Sequence, residues 1–357
     1  MKRKIKIKSK NSNYSVNFID ISKSHFDKTL LPNDVILADR KVVKAHELEK
    51  MIKKNKIIQI VASEKNKDFS ELGKIIKQLL EINTKRNSRL IVVGGGITQD
   101  IGSFISSILF RGIKWIYYPT SFLGQCDSCI GGKTSINFLN NKNQLGNFNP
   151  PSQIYIDPNF LLTLSKKDIY SGVGEMSHYF YIKGGNNYKL FLNKYEECLK
   201  LNIKSCSELS FKSLMIKKEF VEKDEFDNNY RLLLNYGHTF GHAIEAITNY
   251  RIPHGIAVAH GIDIANFISY KRKYITKNEF FNMRIALKNI YKYYPLPKID
   301  ILKYIEILKK DKKNINSNIR CVLTKGIGKV FIHEIVINRV FKNTLNLYFT
   351  NDNNFPE

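Results

Sequence analysis

Short apolar runs alternate with stretches of helical spacing through the first half of the chain. Residues 34–40 (DVILADR) and 56–63 (KIIQIVAS) read as buried strands, because an unbroken aliphatic run covers both faces of a strand. Residues 69–82 (FSELGKIIKQLLEI) carry apolar positions at helical spacing, and 89–96 (RLIVVGGG) form a strand ending in three glycines. A helix is predicted over 100–109, with Asp100 at its start. KWIYYPTSF reads as another strand entering a loop, and 150–165 add one more strand and a loop. The basic N-terminus, MKRKIKIKSKNSNYSVNF, reads as a strand with lysines on one face. This alternation predicts a mostly parallel α/β sheet.

After about Ser165 helical periodicity dominates through Lys313, with few strand-like runs. Residues 318–335 (NIRCVLTKGIGKVFIHEI) read as a short hairpin or loop insertion. The predicted organisation is therefore an α/β domain over 1–165 and a mainly helical domain over 166–357. The asparagine-rich tail after Asn346 is expected to be loosely ordered.

Composition narrows the class. The chain has 357 residues, 43% of them hydrophobic, enough for two domains with a sizeable core. No apolar run is long enough for a membrane helix, and the N-terminus lacks the apolar core of a signal peptide. A cytoplasmic protein with no membrane partner is expected. The five cysteines (126, 129, 198, 206 and 321) are odd in number and scattered, which predicts reduced thiols. Cys126 and Cys129 form a lone C-x-x-C with no second pair to complete a zinc site. The chain carries 57 Lys+Arg against 32 Asp+Glu, a formal charge of +25. The lysines are spread along the whole length, and no nucleic-acid-binding motif accompanies them. A solvated basic surface serving an anionic small molecule is the expectation, with no nucleic-acid partner.

Candidate chemistry falls at several points. Gly94, Gly95 and Gly96 stand between a strand and a helix, where backbone amides can approach a phosphate. Their spacing is not the standard dinucleotide fingerprint, and a plain tight turn reads equally well. Gly131-Gly132-Lys133-Thr134 resembles the tail of a phosphate-binding loop, but Asp127 occupies the position of that motif's first glycine. A turn delivering Lys133 to an anion, with Asn143 nearby, remains. His238 and His242 (NYGHTFGHAIEA) stand one helical turn apart. Alone they are compatible with a metal pair, a catalytic pair or two core histidines. Glu175, His238 and His254 together have the ligand composition of a catalytic zinc with an open position.

The ordered blocks GGGITQDIGSF, FRGIKWIYYPTSFLGQCDSCIGGKTSIN, KNQLGNF, IDPNFLLTL, GEMSHY, KDEFDNNYRLLLNYGHTFGHAIEA and PHGIAVAHGI resemble the 3-dehydroquinate synthase family of the sugar-phosphate cyclases. They cover about residues 64–329. The resemblance implies a Rossmann-like NAD domain, a mainly helical C-terminal domain and an active site in the cleft between them. It implies NAD and Zn²⁺ (or Co²⁺) as cofactors, a sugar phosphate as substrate and a homodimer. Zinc ligands map onto Glu175, His238 and His254. NAD contacts map onto Asp39, Glu64, Lys67, Gly95, Gly96, Asp100, Thr120, Ser121 and Thr163. Substrate contacts map onto Asp127, Lys133, Asn143, Lys217, Arg231, Asn235 and His242. Arg111 matches an arginine that reaches the neighbouring subunit's phosphate site, and a further phosphate-binding lysine falls at Lys313 or Lys312.

The implied reaction oxidises a secondary hydroxyl with NAD, eliminates phosphate from the acidified carbon, returns the hydride and closes the carbocycle by an intramolecular aldol step. The protein positions, polarises and supplies cations.

Three blocks depart from the family pattern. His178 stands where the family has a substrate-binding lysine. Ile256 replaces a carboxylate after the last metal ligand, with the expected loss of a partner to that site. Cys126 and Cys129 replace small residues, which favours packing over redox chemistry. Lys217 and Arg231, which in the family hold the substrate carboxylate, are kept, so 3-deoxy-D-arabino-heptulosonate 7-phosphate is the expected substrate. The rival readings are a divergent cyclase acting on another sugar phosphate, an NAD- and metal-dependent polyol dehydrogenase, and a non-catalytic nucleic-acid binder.

Overall fold

The computed structural model describes residues 3–52, 55–139, 141–310 and 318–351. The chain divides into two compact units. The first holds Met1–Leu164 together with Lys217–Phe226, and the second holds Ser165–Ile216 and Asp227–Glu357.

The strands of the first unit are β1 (Arg3–Ile7), β2 (Tyr14–Phe18), β3 (Val35–Asp39), β4 (Lys56–Ile60), β5 (Leu90–Gly94), β6 (Trp115–Pro119), β7 (Ile136–Phe138), β8 (Asn141–Leu145) and β9 (Gln153–Ile156). Seven of them form one sheet in the order β1-β2-β9-β6-β5-β3-β4. Every neighbouring pair in it is parallel except β1 with β2. The basic N-terminus is thus a hairpin of two strands, not one, because the polar run Lys8–Asn13 breaks the alternation and turns the chain. β5 and β6 are buried along their whole length, as expected of central parallel strands. Ile36, Ala38, Ile91, Val93, Ile116 and Tyr118 from β3, β5 and β6 form one core with Phe26, Val43 and Leu48.

Helices alternate with the strands of this sheet along the chain. Helix Phe69–Glu81 begins at Asp68, whose carboxylate accepts from Ser70 N. The helix after β5 spans Gly96–Ile108. Asp100 therefore lies one turn inside it and does not cap it. The glycines let the helix start directly at the strand end, and the Asp100 carboxylate is taken up elsewhere.

The second unit is mainly helical. Helix Lys166–Lys183 starts with a reciprocal Ser165–Asp168 capping box, and Lys277–Tyr291 starts with the equivalent Thr276–Glu279 box, two sequence signals that each satisfy orphan amides. Helix His254–Lys271 is buried from Gly255 to Ser269, so it is the centre of this unit. An antiparallel hairpin, Ile319–Thr324 with Val330–Ile335, lies in this unit. The chain after Asn346 continues a helix, Arg339–Asn351. Leu345 and Tyr348 are fully buried, and that apolar face outweighs the low helix propensity of the asparagines. Among the described residues no helix is long and apolar enough to cross a membrane.

Candidate active site and metal centre

In the first unit, Asp39, the Gly94–Gly96 turn and Thr120 sit at the C-terminal ends of the adjacent parallel strands β3, β5 and β6. That is where open α/β sheets hold ligands. Gly95 is the N-cap of helix Gly96–Ile108, and no side chain caps it. A Cβ at Gly96 would meet nothing within 4 Å. The first-turn amides therefore face room for an anion such as a pyrophosphate, and the turn fits a dinucleotide. The Thr120 amide donates to the Gly94 carbonyl at 3.0 Å. The Ser121 hydroxyl accepts from Gly124 N at 3.1 Å.

Beside this turn lies a polar network. Lys67 Nζ is 2.6 Å from Asp100 Oδ2 and donates to Asn143 Oδ1 at 2.9 Å and Ser135 Oγ at 3.1 Å. Asp100 Oδ1 accepts from Ser135 N at 3.0 Å. Burial raises the Asp100 pKa, and the Lys67 charge opposes that rise. Glu64 accepts from Asn137 Nδ2 at 3.0 Å, and Asn137 Oδ1 accepts from the Asn143 amide at 3.0 Å. Asp39 accepts from Lys41 N at 3.0 Å, and Thr163 Oγ1 lies 2.9 Å from His46 Nε2. Ser135 and Asn137 went unpredicted; a hydroxyl and an amide beside a GGK turn carry little sequence signal.

Gly124–Ser128 forms a single π-helical turn. It presents Asp127, whose carboxylate lies 2.7 Å from Lys217 Nζ; the same ammonium donates to the Asp127 carbonyl at 2.9 Å. Lys133 is exposed after Gly131 and Gly132, both at positive φ. Arg111 is exposed too, with φ of 64°. Cys126 and Cys129 are buried and form no disulfide. Burial pushes the Cys129 thiol up to about 12, which denies it the thiolate that redox chemistry needs. Lys312 and Lys313 lie outside the described residues.

In the second unit Glu175, His238 and His254 converge. Their ligand atoms all lie within 4.8 Å of one another. Glu175 is 2% exposed. His238 Nε2 is 3.3 Å from Glu175 Oε1, and His254 Nε2 is 3.2 Å from Glu175 Oε2. Two ligands of one tetrahedral zinc stand about 3.3 Å apart. Glu175 Oε2 nevertheless makes no hydrogen bond of acceptable geometry, so the contact lacks the alignment of a donor with an acceptor. Lone pairs facing a shared point fit a cation between them. Burial works against the Glu175 charge, but the two histidines hold its carboxyl well below the usual range.

Backbone packing makes this convergence possible. A Cβ at Gly174 would lie 2.2 Å from the Gly255 carbonyl oxygen, and a Cβ at Gly255 would lie 1.8 Å from the Ser171 oxygen. Only glycines let helices Lys166–Lys183 and His254–Lys271 cross this closely, one residue from each ligand. The His238 helix, His238–Ile247, is held the same way: a Cβ at Gly261 would lie 1.9 Å from the Gly237 oxygen. His254 Nδ1 lies 3.0 Å from Glu245 Oε2. Glu245 was not singled out by sequence reasoning, although it falls two turns after His238 on the same helix. It supplies the carboxylate partner whose loss Ile256 suggested, while Ile256 itself is fully buried. His242, exposed, has its ring 5.6 Å from both His238 and His254. With Glu245 and His254 it makes a second close triplet, but there Glu245 is already bonded to His254. His178 is buried, with Nδ1 2.6 Å from the Glu175 carbonyl and its ring 5.0 Å from that of His238. Arg231 is buried in the short helix Tyr230–Asn235, where Asn235 Nδ2 donates to the Leu232 carbonyl at 3.0 Å.

A dinucleotide-type turn on a parallel sheet and a two-histidine, one-carboxylate centre on a helical unit define an NAD- and metal-dependent class of enzyme. The structure of 2-deoxy-scyllo-inosose synthase complexed with carbaglucose-6-phosphate, NAD⁺ and Co²⁺ has this fold, with a TM-score of 0.86 at 20% identity over 98% of this chain and 100% of that one. ValA, the 2-epi-5-epi-valiolone synthase from Streptomyces hygroscopicus with NAD⁺ and Zn²⁺ bound, superposes with a TM-score of 0.84 at 21% identity over 95% of this chain and 97% of that one. The family descriptions 3-dehydroquinate synthase N-terminal and C-terminal match residues 57–171 and 172–314. The 3-dehydroquinate synthase of Helicobacter pylori (strain G27) is 39% identical over 275 residues, 76% of this chain and 78% of that protein. The chain belongs to the 3-dehydroquinate synthase family.

Proposed function

We propose that this chain is the lyase that converts 3-deoxy-D-arabino-heptulosonate 7-phosphate to 3-dehydroquinate and phosphate, in aromatic amino acid biosynthesis. The reaction runs through oxidation, phosphate elimination, re-reduction and intramolecular aldol closure. The observation that carries this reading is the buried Glu175 carboxylate with one oxygen turned to each of His238 and His254, in a chain of this family. When bound, NAD accepts and returns a hydride, and a divalent metal ion polarises the substrate hydroxyl.

Glu175, His238 and His254 hold the metal, Zn²⁺ or Co²⁺. The Gly95–Gly96 turn holds the dinucleotide phosphates, with Asp39, Glu64, Lys67, Asp100, Thr120, Ser121 and Thr163 around the rest of that cofactor. Arg231 and Lys217 take the substrate carboxylate; a guanidinium fork matches its two oxygens. Lys217 arrives already oriented by Asp127. Lys133, Asn143 and Asn235 bind phosphate and hydroxyl groups, together with Lys313 and a partner subunit's Arg111 in a homodimer. His242 hydrogen-bonds the substrate and moves a proton. The protein works in the cytoplasm.

The test incubates the purified chain with the heptulosonate phosphate, catalytic NAD and Zn²⁺, and follows phosphate and 3-dehydroquinate together. Equimolar release of both, with no net NADH, supports the reading; no phosphate release sinks it. His178 favours one second reading, a cyclase for an uncarboxylated sugar phosphate, because the residue is a short, buried histidine in the family's lysine position. Phosphate release from such a sugar alone would select that alternative.

A further inference from the structure

The second unit contains a cavity of about 400 Å³ that shares no lining residue with the proposed active-site set. That volume lies within the range of small-molecule sites. Arg284 and Lys288 from helix Lys277–Tyr291, and Lys292 and Lys298 from the segment after it, line the cavity; none of its lining residues is a carboxylate. Tyr291, Phe349 and the Pro-Leu-Pro run at 295–297 supply its apolar walls.

The four cations are not equivalent. Arg284 Nε is 3.1 Å from Asp263 Oδ2, and the Tyr291 and Tyr348 hydroxyls donate to the same oxygen at 3.0 and 2.7 Å. That buried ion pair is internally answered. Lys292 donates to Asn289 Oδ1 at 3.3 Å and lies over the Tyr293 ring. Among the described residues no carboxylate pairs with Lys288, Lys292 or Lys298. Like charges one helical turn apart repel. The negative end of the helix dipole accounts for lysines in the last turn, but Lys298 lies beyond the helix end and still lines the same cavity.

His260, 1% exposed, is part of the wall. Its Nε2 donates to the Tyr294 carbonyl at 3.1 Å, and its ring stacks on Tyr291 with centroids 3.9 Å apart. Its buried Nδ1, an acceptor in that tautomer, has no hydrogen-bond partner. That atom is closed off from the cavity and accepts rather than donates, so the anion site rests on the lysines and the apolar walls.

We propose that this cavity is a second binding site, for a small carboxylate that carries a planar ring. Lys288, Lys292 and Lys298 take the carboxylate, and Tyr291, Phe349 and the proline run cover the ring. The apolar walls formed by Tyr291, Phe349 and the proline run favour an anion that carries a ring over a bare phosphate ion. The site does not depend on the proposed reaction.

The test titrates 4-fluorobenzoate into the full chain, with NAD and Zn²⁺ present, and follows the ¹⁹F signal. Both substituted lysines of the Lys288→Glu/Lys298→Glu variant are exposed, so the variant retains its fold. It should bind the probe at least about tenfold more weakly, with turnover within about twofold of the parent. Phe349→Ala should also weaken binding, while Arg231→Gln, in the proposed active site, should not. Equal affinity in the parent and the double variant overturns the proposal, as does loss of binding in Arg231→Gln alone. Tighter binding of inorganic phosphate at the same lysines overturns the choice of a ring-bearing carboxylate.

Discussion

His254 presents Nδ1 to the Glu245 carboxylate at 3.0 Å and thereby turns Nε2 toward Glu175. The hydrogen bond fixes the tautomer, since a proton held on Nδ1 leaves the Nε2 lone pair for a metal. Glu245→Gln keeps the volume but gives up the charge, and Glu245→Ala frees the ring to rotate. We expect metal affinity, measured by chelator competition with Zn²⁺, to fall about 10- to 100-fold in Glu245→Ala and less in Glu245→Gln. Equal zinc affinity in all three proteins would mean that the backbone alone positions His254.

The crossing of the Glu175 and His254 helices depends on backbone contact at Gly174 and Gly255. A methyl at Gly255 would lie 1.8 Å from the Ser171 oxygen and 2.7 Å from Glu175 N, neither of which can rotate away. Gly255→Ala must therefore push the helices apart, at about 3 kcal/mol or more. Gly73 sits in helix Phe69–Glu81, where a Cβ meets nothing within 4 Å. Gly73→Ala should stabilise by about 1 kcal/mol. Urea midpoints of the two variants should move in opposite directions, and Gly255→Ala should also lose zinc.

Much of this was legible in the chain. The aliphatic runs 35–39, 90–94 and 115–119 announced central parallel strands, because burial on both faces removes polar alternation. The convergence of Glu175, His238 and His254 as a candidate metal set followed from residue types and from the family pattern around them. The rest depended on three-dimensional neighbours. A glycine in a helix reads as a weak propensity, and nothing local says that another helix's carbonyl fills the missing side chain's place. Glu245 looked like a surface charge because its partner lies across a loop. The segment Lys217–Phe226 belongs to the first unit although it continues a helix begun in the second, a division that periodicity alone does not register. The asparagines after Asn346 disguised a helix whose other face is buried.

Lys67 and Asp100 form an enclosed ion pair in the first unit's polar network, with side chains 7% and 20% exposed. Removing one partner strands the other. Lys67→Met should cost about 3 kcal/mol, and Lys67→Met/Asp100→Asn should recover a large part of it. Unfolding in urea of the two single variants and the double variant gives the coupling directly. Strict additivity would show that Ser135 and Asn143 hold Asp100 without the ammonium.

His260 gives the stability a pH dependence of its own. Burial lowers its pKa from 6.5 to about 4; Arg284 adds to the drop, and the bond to the Tyr294 carbonyl resists it. A depressed folded-state pKa means that the unfolded chain binds the proton more readily. Stability is therefore complete above about pH 6.5 and is lost as the pH falls toward about 4. Between pH 7 and 5 the loss from this one group is about 2 kcal/mol. His260→Gln, whose amide can still donate to the Tyr294 carbonyl, removes the titration and keeps the bond. The urea midpoint of the parent should fall more steeply over pH 7 to 5 than that of the variant. Parallel curves would mean that the buried histidine takes up its proton as readily as in the unfolded chain, with the cavity admitting a counter-charge.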